Sequence, residues 1–145
     1  MDDDGMRQVV NYTRSLIPEN VIPVNVLDIC NNLNIYVMQD NGSLDSNVDL
    51  ATFQTDEKFF LFFRADVANS TKRLLILEKV YCAIVGCFET CDCEAANDFA
   101  MQILLPDLFV FENLDKGFEW LRSSADVSSE ALKLRLKNLD IEMEE

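Results

Sequence analysis

The chain has 145 residues, with 12 Lys+Arg against 26 Asp+Glu and no histidine, so its formal charge is −14 and its isoelectric point is near 4.2. A surface this acidic repels phosphate and excludes direct binding to a nucleic-acid backbone, while the lack of histidine removes imidazole bases, Ser-His-Asp and Cys-His pairs and imidazole metal ligands. At 49% hydrophobic and 26% charged, the composition predicts one globular domain over residues 1–141, followed by an acidic tail at 142–145.

The first ten residues, MDDDGMRQVV, carry acid where a signal peptide carries base, and no apolar run reaches the roughly 18 residues of a membrane helix. A soluble protein without a membrane segment is expected, located in the cytoplasm. Met6, Val9, Val10, Tyr12 and Leu16 are spaced for an amphipathic helix over 6–16, stopped by Pro18. Val26, Leu27, Ile29, Cys30 and Leu33 predict a second helix over 25–33, and the run Ile35, Tyr36, Val37, Met38 predicts a strand over 34–38. Asp40, Asn41 and Gly42 supply turn chemistry after it.

Residues 48–54 and 58–63 are β-rich runs separated by Thr55, Asp56 and Glu57, which predicts a hairpin. Phenylalanines at 59, 60, 62 and 63 imply a small sheet buried on both faces. Ser70 is placed to cap a helix over 71–85, with Gly86 at its C-terminal end. Helices over 93–105, 114–121 and 129–139 follow, the first ended by Pro106 and the last capped by Ser128 or Ser129, before a frayed tail. The fold class this predicts is α+β, a small antiparallel or mixed sheet packed against helices, with the strands covering the 71–85 helix.

Bases are absent between Arg14 and Lys58 and again between Lys79 and Lys116, each interval holding seven acids. Such one-signed stretches are either a solvated surface or a surface for a basic partner. The five cysteines, Cys30, Cys82, Cys87, Cys91 and Cys93, are an odd number in a chain expected in the cytoplasm, so free thiols are expected rather than a disulfide framework. The group Cys82, Cys87, Cys91 and Cys93 lacks the paired C-x2-C spacing of a structural zinc site, and ordinary thiols are the favoured reading over a metal cluster.

The segment Glu94-Ala95-Ala96-Asn97-Asp98-Phe99-Ala100, continuing to Leu104-Leu105-Pro106, resembles the second motif of the ImmA/IrrE family of zinc metallopeptidases. Val127-Ser128 with Ala131-Leu132 and Arg135-Leu136 is similar to that family's closing helix, and Pro23 to Leu27 followed by Asn34 to Val37 resembles its opening helix and strand. The resemblance implies a zincin-like fold. In that family an H-E-x-x-H helix precedes the second motif: the two histidines hold zinc, the glutamate between them is the general base, and the later glutamate is the third ligand. The corresponding stretch here is Leu77-Glu78-Lys79-Val80-Tyr81, in which Glu78 matches and Leu77 and Tyr81 replace the histidines, while Glu94 keeps the third-ligand position.

The resemblance, so altered, implies an apolar plug in place of the metal centre, with no cofactor, no metal and no peptidase activity. Glu78 is expected to be hydrogen-bonded, to the Tyr81 hydroxyl, a backbone group or a helix N-terminus. Glu94 is expected to complement a helix dipole. Catalytic members of the family cut DNA-binding repressors, so a pseudo-peptidase of phage or mobile-element origin is expected to grip a repressor or another basic partner in a bacterial host without cutting it, as an antirepressor-like regulator. The alternative is an acidic anti-defence inhibitor that mimics nucleic acid against a nucleic-acid-binding enzyme such as a CRISPR nuclease, and a third is a residual metallopeptidase with non-histidine ligands. Glu89, Asp92 and Asp98 are the expected partner-binding residues.

Overall fold

The computed structural model describes residues 3–17, 21–88 and 93–145. Three strands form one mixed sheet: β1 (Ile35–Asp40), β2 (Leu50–Thr55) and β3 (Lys58–Arg64). β3 lies in the middle, parallel to β1 and antiparallel to β2. The β2–β3 hairpin is the expected one, turning at Asp56, whose φ of 47° lies in the left-handed region that Asp tolerates. The α+β class follows from this sheet together with the helices α1 (Asp3–Arg14), α2 (Val26–Asn32), α3 (Asn69–Val85), α4 (Cys93–Leu104), α5 (Asp107–Glu112), α6 (Phe118–Ala125) and α7 (Ser129–Asn138).

Alternation along β3 sends Leu61 and Phe63 into the core, and the ring of Phe59 meets Phe88 at 4.8 Å. Helices α2 and α3 pack on the sheet, as the apolar patterning of both required. The expectation of a sheet buried on both faces is corrected: Tyr36, Met38 and Phe53 are 43%, 46% and 56% exposed. Phe60 and Phe62 point the same way by strand parity, so the outer face is an apolar surface open to solvent.

Helix ends follow local chemistry, with three shifts from the sequence reading. Asn25 caps α2, its Oδ1 accepting from the N–H groups of Leu27 at 3.1 Å and Asp28 at 3.2 Å. Ser128 caps α7, accepting from the Ala131 N–H at 3.1 Å. Gly86 ends α3 at φ 85°, a conformation that costs a Cβ-bearing residue more. The first shift is α1, which ends at Arg14 rather than 16, while Pro18, its expected stop, lies outside the described residues.

The second shift is at α3, whose N-cap is Ala68 without a side-chain bond, so Ser70 sits inside the first turn. The third is the predicted 114–121 helix. Residues 114–116 make a single 3-10 turn, and Gly117, at φ 92° and ψ 167°, interrupts the chain before α6 starts at Phe118. α5 has no counterpart among the predicted helices; Pro106 ends α4 and directly precedes α5. The tail is docked rather than frayed: the Ile141 N–H donates to Leu136 O at 2.9 Å, Met143 packs at the core edge, and Glu145 pairs with Lys133.

Candidate functional site

Helices α3 and α4 pack along one another and carry the residues singled out from sequence. The buried stripe of α3 runs Arg73, Ile76, Leu77, Val80, Tyr81, with the i, i+3, i+4 spacing of a core-facing helix. Leu77 is 0% exposed and Tyr81 3%. The Tyr81 ring meets Phe99 of α4 with centroids 5.6 Å apart and planes tilted by 45°, within the distance range of favourable aromatic pairs. On α4, Ala96 and Ala100, one turn apart and buried, keep the helix slim along this contact.

Glu78 is half-buried and is hydrogen-bonded to the Asn97 side chain of α4. Its partner is therefore an amide on the neighbouring helix, a choice absent from the alternatives drawn from sequence. Burial raises the Glu78 carboxyl above its ordinary range, while the Lys79 charge and the Asn97 amide pull it partly back. Lys79 itself donates to Phe88 O at 3.2 Å and lies over the Phe88 ring, 5.5 Å from its centroid. Glu94 is exposed in the first turn of α4, where its charge complements the helix dipole.

Of the residues assigned to partner binding, Asp98 is half-buried and accepts from Gln102 Nε2 at 3.3 Å, an i, i+4 bond along α4. Glu89 and Asp92 lie outside the described residues. The site thus brings together Leu77, Glu78 and Tyr81 with Asn97 and Phe99. Its chemistry is that of a carboxyl that holds its proton more readily than usual beside hydrocarbon. A leucine offers no lone pair, and among the described residues no three Cys, Asp or Glu side chains converge on a point where a cation could sit.

The cysteine expectation is corrected at one position. Cys82 is disulfide-bonded, while Cys30 and Cys87 are free. A sulfur in a disulfide is not a thiolate, so Cys82 does not serve as a zinc ligand in this state. Burial pushes the Cys30 thiol up to about 12, which leaves it unreactive at neutral pH.

Two buried arginines fasten the surroundings of the site: Arg73, which the sequence reading passed over, and Arg135, which it named only within the closing-helix resemblance. Arg73 on α3 donates from Nη1 to Val24 O at 2.7 Å and from Nη2 to Ala125 O at 3.4 Å, with Asp126 at 3.7 Å from Nε. Arg135 on α7 donates from Nε to Leu105 O at 3.0 Å and pairs with Asp107, so it holds the end of α4. For Arg73 the only sequence signal was its place within an otherwise apolar helical stripe, a place that Arg135 shares on α7. Surface cavities of about 710 Å³, between the ends of α1 and α4 and α5, and about 590 Å³, beside α7 and the tail, include none of Leu77, Glu78, Tyr81 or Glu94. Comparison with models of known protein families and with curated proteins found no match to this chain.

Proposed function

We propose that the chain is a non-cleaving, zincin-like relative of the ImmA/IrrE metallopeptidases that binds a basic protein, a DNA-binding repressor in the first instance, without cutting it. The observation that carries the reading is that the separate segments bearing the resemblance meet in space. Glu78 bonds Asn97, Tyr81 packs on Phe99, and Arg135 holds the Leu105 carbonyl. Three separate stretches thus touch through Glu78, Asn97, Phe99, Leu105 and Arg135, which carry the resemblance, and through Tyr81, which stands at a position the family fills with histidine. The replacements then fall at the heart of that contact: Leu77 and Tyr81 are buried there, and neither supplies the imidazole donors that would hold zinc and polarise its water.

A formal charge of −14 supports a basic partner, because complementary fields speed encounter and disfavour acidic competitors. Two measurements test the reading. Zinc titration of the native protein is expected to show no stoichiometric binding, and Leu77→His with Tyr81→His is expected to create it. Stoichiometric zinc held by Glu78 and Glu94 in the native chain would revive the residual peptidase. Affinity capture from the native host, read by mass spectrometry, is expected to recover a transcription factor. A captured nuclease or defence complex would instead favour the acidic nucleic-acid mimic.

A further inference from the structure

The open face of the sheet is ordered in rows by its strand register. Phe60 stands opposite Tyr36 on one side and Phe53 on the other, with ring centroids 5.3 and 6.2 Å away. The next row is Met38, Phe62 and Ala51. The row after that is charged: Arg64 stands opposite Asp40 in the register, and its N–H donates to Asp49 O at 3.2 Å.

Arg64 is already neutralised there, by Asp49 at 3.1 Å and by Asp66 at 2.5 Å. Asp40 is fixed in place by the Ser43 hydroxyl and by the N–H groups of Leu44 at 2.9 Å and Gly42 at 3.0 Å, and these bonds, that of Ser43 foremost, hold its carboxyl below the usual range. Three carboxylates against one guanidinium leave this end of an aromatic surface negative.

Size and sign select the occupant. Three strands about 4.8 Å apart and seven residues of about 3.3 Å each present a face of roughly 300 Å². That is well short of the ~800 Å² per partner of a stable association between folded surfaces, and a second copy would bring the same charge of −14 against it. Aromatic rows of this kind stack nucleobases where basic side chains flank them, whereas here Lys58 stands at the far end and the near end is acidic.

We propose that this face docks a short segment of another protein that carries two large apolar side chains and a Lys or Arg beyond them, about 13 Å from the first and about 7 Å from the second; the spacings are those from Phe60 and from Phe62 to Arg64. The apolar pair covers the Tyr36–Phe60–Phe53 row and the Met38–Phe62 row, and the cation sits against Asp40 and Asp49. The inference goes beyond the pseudo-peptidase reading and does not rest on it, since it uses the sheet alone.

The test is selection of random peptides of about 12 residues against the native protein, a length that covers the roughly 13 Å from the Phe60 row to Arg64 whether extended or helical. Selected peptides are expected to combine paired aromatic or aliphatic residues with Lys or Arg toward one end. Their affinity is expected to fall at least about tenfold in Tyr36→Ser with Phe53→Ser, as for loss of an apolar anchor, and about threefold in Asp40→Asn with Asp49→Asn, as for partly exposed ion pairs. Thermal melts check that the variants fold; if the serine pair does not, the asparagine pair and the loss of binding at high salt decide.

Failure to enrich any sequence, enrichment of peptides without basic residues, or affinity unchanged in the variants that fold would overturn the proposal. So would dimerisation of the native protein that Phe53→Ser abolishes, or tighter binding of a single-stranded oligonucleotide than of any peptide.

Discussion

Glu78 shows how a single carboxyl reports its surroundings. Its raised pKa means that, between the ordinary carboxylate range and the folded value, the native state binds more protons than the unfolded chain. Stability contributed by this group is therefore fully present below the unfolded pKa and is lost as pH rises through the folded pKa. Glu78→Gln keeps an acceptor for Asn97 and removes the buried charge, so the variant is expected to be more stable than the native protein at pH 7 and equal to it near pH 4, where both side chains are neutral. Urea denaturation of both proteins across that interval checks the sign. A native protein equally stable at both ends relative to the variant would mean that Lys79 and Asn97 fully offset the burial. Composition and motif placed Glu78 in the interior of a helix, but its partner depends on a second helix, so its titration was not legible in the sequence.

At the scale of elements, the arginines separate structural from ornamental charge. Arg135 is buried and satisfies Leu105 O at the end of α4 while meeting Asp107, so Arg135→Ala leaves a carbonyl unpaired and a void between α4 and α7. The expected cost is about 2–4 kcal/mol, the range for losing one member of a buried charged hydrogen bond. Arg122 pairs with Glu119 on the exposed surface of α6, and Arg122→Ala is expected to cost far less than Arg135→Ala. Chemical denaturation of the two variants side by side tests the contrast; equal costs would mean that Arg135 contributes through its solvated contacts only. Helix periodicity, the Asn25 and Ser128 caps and the Gly86 stop were all legible, because each is settled within a few residues. The start of α6 was not, because Gly117 adopts a conformation that its neighbours allow but do not announce.

For the whole molecule, charge dominates outside the core. A net −14 on 145 residues opposes compaction, and the exposed ion pairs at Arg64, Arg122 and Lys133 are too weak to offset it. Raising NaCl from about 0.05 to 0.5 M shortens the screening length from roughly 14 to 4 Å, so the melting temperature is expected to rise by several degrees. A melting temperature that falls with salt would show that the ion pairs outweigh the self-repulsion. Among the described residues no helix is long and apolar enough to cross a membrane.

The α+β class, the order of the main helices and strands, the β2–β3 hairpin and the absence of imidazole chemistry were all readable from the amino acids in order. These are properties of composition and of short-range periodicity, and they survive whatever the packing of distant elements does. That packing was needed to settle which face of the sheet stayed open, that Cys82 entered a disulfide, that Glu78 found Asn97, and that Arg73 and Arg135 were buried clamps. Arg73 reaches a carbonyl 49 residues away and Arg135 one 30 residues away. No local pattern encodes such a partner, because a buried polar group is satisfied by whichever atoms the meeting of distant elements brings within hydrogen-bonding reach.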